Sequence, residues 1–320
     1  MKLLKSFIAI LIILVSINTA IAKTLTVESD KQVYDDTKKL ITLEDNVVVK
    51  IDDITVRSPK AFLTINAFGK PDTATFTDGV HAIQVTPNST SETKASILKL
   101  SLISKEVEAT GDVESKMEKL GKPAITIKSD YQSFNTNNNL MVAKDNVVMI
   151  YDEIKTNSDH AKIWLNEKGG LKYLKLTGNA VVTQDQISIA GDEVNLDALT
   201  EFMTATGSVY TKVKTDETNA IEIWSKQQQY DNKANTAIAN GSTVIHYSTY
   251  KAKGPKAVLL ANPKTKKPDK VIFPARSKIY DEGKSIIADK IVITFNPKNF
   301  TAEGHVKTQI DNLNGFDADK

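Results

Sequence analysis

The strongest constraint in this sequence is a stretch that is written twice. Residues 26–65, beginning TVESDKQVYDDTKKLITLEDNVVVKIDDI, return as residues 126–165, beginning TIKSDYQSFNTNNNLMVAKDNVVMIYDEI. Overlaid without a gap at an offset of 100, they keep 13 identities: Thr26, Ser29, Asp30, Gln32, Leu40, Asp45, Asn46, Val47, Val48, Asp52, Ile54, Ser58 and Ala61. A shorter period runs through the whole chain, in which a small turn residue leads into a β-branched strand. It marks Asn46-Val47, Gly79-Val80, Asp112-Val113, Asn146-Val147, Asn179-Ala180, Ser208-Val209, Thr243-Val244 and His305-Val306, mostly in steps of 29 to 35 residues. The last interval is 62 residues and holds two units, the middle one near Arg276 to Ile279 having lost its signature. About nine units of ~33 residues therefore follow one another. A unit this small cannot bury its apolar face alone, so neighbours must stack.

Alternation makes the units β. Ile41, Leu43, Val47, Val49 and Ile51 share one face, with Thr42, Glu44, Val48 and Lys50 on the other. The second copy repeats the dry set as Met141, Ala143, Val147, Met149 and Tyr151. Period two with one apolar side is the mark of a half-buried strand. Turn residues punctuate the strands at Asp52-Asp53, Asp72 to Asp78, Asn135 to Asn139, Gly169-Gly170 and Asp231 to Asn235. The expected fold is all-β, a long sheet folded over on itself as one elongated repeat domain over residues 23–320. Its first strand, near Leu25, Val27 and Val33, and its last, near Val306 and Ile310, are expected edges open to strand addition.

Residues 1–22 read as a cleaved secretory signal. Lys2 and Lys5 precede an apolar run from Phe7 to Ile17 and an Ala20-Ile21-Ala22 cleavage pattern. The run is too short to span a bilayer comfortably. Removing it takes two of the 41 basic residues and none of the 39 acidic ones, so the mature chain is formally neutral. Bulk attraction to nucleic acid is not expected. With no cysteine, an exported chain of this size has no staple and must rely on its core.

The repeated SD-x-x-x-Y-D … L-x-x-x-x-NV-x-V text, with its variants AGDEVNLDALTEFMTATGSV (190–209) and ADKIVITFNPKNFTAEGHV (288–306), resembles the OstA/LptA family. The resemblance covers essentially the whole mature chain. It implies a β-jellyroll open along one side and a periplasmic location. It also implies an apolar trough for the acyl chains of lipopolysaccharide, and end-to-end joining to inner-membrane LptC-like and outer-membrane LptD-like partners or to further copies of the chain. Under that reading Ile41, Leu43, Val47, Val49, Ile51, Met141, Val147, Met149, Tyr151, Val209, Val244 and Val306 face the trough. The alternative from the residues alone is a surface-exposed structural or adhesive β-solenoid without lipid cargo.

A second feature is the stretch 251–278, with nine basic residues against one acid, Asp269, and four prolines. It reads as a loop-rich basic insertion whose Lys264, Lys266, Lys267 and Lys270 are candidate contacts for an anionic head group. No catalytic, metal or cofactor constellation is expected. His81, His160, His246 and His305 are far apart, and neither a nucleophile elbow nor a phosphate-binding glycine loop occurs.

Overall fold

The computed structural model describes residues 25–310, apart from Asp52, Leu102, Lys122, Thr136, 167–169 and 216–218. The expected leader, residues 1–22, and the turn residues Asp52 and Gly169 lie outside these. Every regular element among the described residues is a β-strand. The chain divides into two compact units, one up to Thr177 and one from Gly178 onward, with the strand Leu171–Gln184 crossing the division.

In the first unit the strands are long and bent. Leu40–Ile51 pairs antiparallel with Ile54–Ile65, and its counterpart Leu140–Tyr151 pairs with Ile154–Leu165. Each ladder skips register once, between Glu44 and Val47 and between Lys144 and Val147. The skipped residues are left-handed, Asp45 at φ 59° and Asn46 at φ 52°, then Asp145 at φ 61° and Asn146 at φ 54°. Among residues with a Cβ, Asn and Asp accept this region most readily, which is why Asp-Asn stands at both places. Two such residues in succession turn the strand without ending it.

The facing strand completes the corner. Asn46 Nδ2 donates to Asp30 at 2.7 Å, and Asn146 Nδ2 to Asp130 at 2.9 Å. Ser29 and Ser129 donate to the carbonyls of Lys31 and Tyr131 across the same bend. The Ser-Asp and Asp-Asn-Val motifs of the repeat are thus the two halves of one corner.

Bent strands stacked in register give two half-sheets joined along a line of corners. The core confirms the fold-over. Ala61, Phe76, Leu98 and Val107 from one set of arms pack in one cluster with Val49, Val56, Ala82 and Ala95 from the other. The residue after most corners is deeply buried: Val47, Val113, Val147 and Val209 are each 1% exposed and Ala180 is 0% exposed.

The second unit repeats the plan through the paired strands Ile187–Asp197, Phe202–Lys214, Ala220–Asp231, Thr236–Tyr247 and Tyr250–Ala261. Its core joins Ile221, Ile223 and Ile279 from one half-sheet to Val271, Phe273 and Ile293 from the other.

Three expectations are corrected here. The stretch 251–278 is not loop-rich: it is mostly the strands Tyr250–Ala261, Pro268–Phe273 and the start of Ser277–Asp281. Its prolines sit where no ladder N–H is required. Pro255 lies in the register shift between Asn240 and Thr243, Pro268 opens a strand, and Pro274 stands in the break between two strands. Asp72 to Asp78 is likewise no turn, since Pro71–Thr77 is a strand and only its end bends, at Asp78 and Gly79.

Val244 does not face inward, and Val306 is not buried. In the seventh unit the left-handed pair is Gly241-Ser242, so the buried position falls on Thr243, 0% exposed, and Val244 points to the outer face opposite Trp224 and Lys253. One residue of register moves a strand side chain to the other side of the sheet. Val306 follows the last corner and is 51% exposed, because no described strand lies beyond it.

Candidate functional site: an apolar cleft opposite the corners

Burial along two of the strands points to an open side of the sandwich. On Leu40–Ile51 the inward residues beside the corner, Leu43, Val47 and Val49, are buried, while Ile41 and Ile51 at the two ends are only half-buried. On Tyr250–Ala261, Ala252 and Ala257 flank the corner and are fully buried, whereas Leu259 and Ala261 are half-buried. The parting is local, for on other strands the arm-end residues Met141, Tyr151, Ile154, Leu165 and Leu171 stay buried.

In the second unit this parting is a cavity of ≈ 60 Å³. Ile187, Val213 and Ile223 supply one wall, and Ala237, Leu259, Ala261 and Pro268 the other, with Phe295 between. Its polar lining is confined to Thr211, Tyr230, Asn235 and Lys266. Asn235 and Lys266 belong to chain-reversing loops at the rim, where the Lys266 ammonium donates to the Asn235 side-chain oxygen. The wall is mainly aliphatic, with Tyr230 and Phe295 its two aromatic members, which suits an apolar chain.

Deeper in, the walls are held by polar groups the sequence reading did not single out. Thr211 donates to Gln228 Oε1 at 2.8 Å, and the buried Tyr230 hydroxyl lies 2.6 Å from Thr211 and also donates to Gln228. Burial holds the Tyr230 phenol well above its ordinary range, so it stays protonated as a donor. Gln228 Nε2 returns to the Ile223 carbonyl across the bend. The first unit has the same arrangement: Ser115 donates to Gln132 Oε1 at 2.7 Å, and Gln132 Nε2 donates to the Ile127 carbonyl at 3.1 Å. The signal was present as Ser-x-x-Gln at 29–32, 129–132 and 225–228. Gln32 stands among the identities of the long repeat, but alternation alone assigns it no work.

The sequence-derived residues fall into groups. Leu43, Val47, Val49, Met141, Val147, Met149, Tyr151 and Val209 are buried inward, and Ile41 and Ile51 are half-buried at the open side. Of the four lysines, Lys266 reaches the cavity rim, Lys264 and Lys267 are exposed in the adjoining turn, and Lys270 stands on the outer face opposite Leu260 and Thr294. At the first edge Val27 packs on the core and Val33 is exposed, and Ile310 is exposed at the last. Leu25 pairs through its backbone with Ile51.

A protein-family model described as LptA/(LptD N-terminal domain) LPS transport protein matches residues 26–119 and 126–229, more than half of the chain and both copies of the long repeat. Among solved structures, that of LptH from Pseudomonas aeruginosa is similar, titled as the LptA homologous periplasmic component of the conserved lipopolysaccharide transport device. It shares 13% identity at a TM-score of 0.35, over 41% of this chain and 96% of that one. No curated protein matches. On the family match, this chain belongs to the LptA/LptD N-terminal domain family of lipopolysaccharide-transport proteins.

Proposed function

We propose that this protein is a periplasmic carrier that holds the acyl chains of lipopolysaccharide between its half-sheets and passes the lipid from an inner-membrane LptC-like partner to an outer-membrane LptD-like one. The observation that carries this reading is the apolar cavity between the arm ends of the second unit, where Leu259 and Ala261 are only half-buried. Acyl chains entering there replace water on aliphatic walls, at roughly 25 cal/mol per Å² of apolar surface covered. The carrier makes and breaks no bond.

The edges support end-to-end joining, including joining of one copy to the next. Inside the chain, Ile125–Ser129 pairs with Val113–Met117, and Lys128 makes a 3.2 Å ion pair with Glu114. The equivalent segment of the first edge is Leu25–Ser29, and that of the last is Val306–Ile310. In this register Glu28 meets Lys307 across the joint, with the polarity reversed. Beyond the corner Lys31 meets Glu303, as Tyr131 meets Thr110 within the chain. Both pairs are complementary, and among the described residues neither edge has another strand beside it.

The test is photocrosslinking in cells with a reactive residue placed in turn at Ile51, Leu259 and the outward Lys50. Lipopolysaccharide adducts at Ile51 and Leu259 but not Lys50 are expected. A folded, exported protein that yields no adduct at either inward position overturns the reading.

A further inference from the structure

The outer face of the second unit carries an arrangement that a trough for acyl chains does not use. Tyr210, Trp224 and Val244 lie side by side on three consecutive strands, and the row continues onto Lys253, Lys278, Ile287 and Lys307. The neighbouring row is Lys212, Glu222, His246, Lys251 and Tyr280. Tyr210 and Trp224 have ring centroids 5.1 Å apart, and Trp224 and His246 4.8 Å, which makes a three-ring ladder on a half-exposed surface. Glu222 is the one carboxylate in these rows, and it is engaged by Tyr210 at 2.7 Å and Lys212 at 3.5 Å.

The lysines beside the ladder are uncompensated. Lys253 and Lys278 are direct cross-strand neighbours, and no described carboxylate lies within ion-pair distance of either, nor of Lys251 or Lys307. Like charges placed directly opposite destabilise a sheet. The first unit avoids this arrangement, for there Glu44 stands between Lys31 and Lys60 at 2.7 and 3.2 Å. Lys278 leans 4.4 Å over the Tyr280 ring, which brings it no negative charge. A retained cluster of repelling cations is relieved when an anion sits on it.

We infer that this face binds a phosphorylated oligosaccharide, the sugar part of the lipid whose acyl chains the cleft takes; the inference rests on the carrier reading for the source of that sugar. The ladder offers ring faces to the C–H faces of pyranose rings, matching their partial positive charge to the negative aromatic face. The lysines meet phosphate as point charges. A bare anionic membrane would satisfy the lysines and leave the ladder idle, and ring stacking selects the sugar over it.

The chain has two tryptophans, so a Trp164→Phe background makes Trp224 the sole reporter. Titration with deacylated lipopolysaccharide should quench Trp224 fluorescence and weaken with salt. The double change Lys253→Gln with Lys278→Gln should weaken binding by about tenfold, the usual scale for two charge-assisted contacts. Trp224→Leu, followed by calorimetry, should weaken it as well, and the dephosphorylated probe should bind more weakly than the phosphorylated one. Equal binding of both probes, or of the lysine variant and the parent, overturns the proposal. So does binding of phosphatidylglycerol vesicles through these lysines without binding of the deacylated probe. Lipid crosslinking at Leu259 separates the two readings. Probe binding without that crosslink sinks the carrier, and the crosslink without probe binding sinks the platform.

Discussion

The two units share a backbone plan and differ in how they finish it. In the unit up to Thr177 the outer lysines alternate with carboxylates, as in Lys31–Glu44–Lys60, Lys99–Glu108 and Lys128–Glu114. The first unit pairs two rings, Trp164 and Tyr173, whereas in the unit from Gly178 three rings form a ladder, four lysines go without such partners, and the arms part around an apolar cavity. The corner device is the same in both, so the repeat prescribes a corner and leaves the arms and outer face free to vary. What specialises a unit is the chemistry placed away from the corner.

The largest test of that division sets corner against arm. Val147→Asp puts a carboxylate at a fully packed position next to a corner, where it finds no partner, and should cost upwards of about 4 kcal/mol. Thermal unfolding followed by circular dichroism should show collapse of the first unit. Leu259→Asp, at a half-buried arm end, should cost less than half as much while abolishing lipid crosslinking. Equal destabilisation by the two changes would erase the distinction between corner and arm.

Next comes the joint between edges. Glu28→Lys and Lys307→Glu should each weaken self-association in sedimentation velocity, and the two together should restore it. Failure of the double variant to recover would remove the proposed register.

The outer faces predict opposite signs from single charge changes. Lys31 and then Lys60 hold the Glu44 carboxyl below its usual range, so Glu44→Gln should lower the melting temperature, less so in high salt. Lys278→Glu, which replaces a repulsion with an attraction toward Lys253, should raise it. Both changes are small, and matching signs would show that the lysine cluster is compensated in some other way.

The smallest effect is a dependence on pH confined to the second unit. Burial first, then Lys251, depresses His246 below its ordinary imidazole range. The unfolded chain then binds the proton more readily than the folded one, so stability rises with pH. It should fall as pH drops through about 6.5, the unfolded value, and His246→Gln should flatten that limb of the melting profile.

Much of this was legible in advance. Alternation over Ile41–Ile51 separated the inward valines from Lys50, and the Asp-Asn-Val repeat placed the corners, because left-handed backbone and period-two burial both leave traces in single residues. Thr243 and Val244 show where that stopped. The repeat makes valine the mark of the inside, yet here a threonine occupies the inner position, and only the turn geometry of Gly241-Ser242 reveals the one-residue shift. The proline-rich basic stretch misled for a related reason. Its composition was that of a loop, while its prolines fell at a strand start, a bulge and a break. The open side of the cleft could not be read at all, because the half-buried Leu259 and Ala261 at its rim are of the same residue types as the buried Leu165 and Ala257.

The corner has one more consequence, for the history of the chain. Asp30 and Asn46 meet across two neighbouring strands in the way Asp130 and Asn146 do, so the device is indifferent to which copy of the long repeat it sits in. Cutting out residues 31–130 would set Asp30 in the place of Asp130, opposite Asn146, with Tyr131 and Gln132 following in phase. A gene coding for such a fold can gain or lose stretches by unequal recombination at that spacing and still encode matched seams. The number of stacked strands thereby becomes a heritable quantity that changes by whole increments.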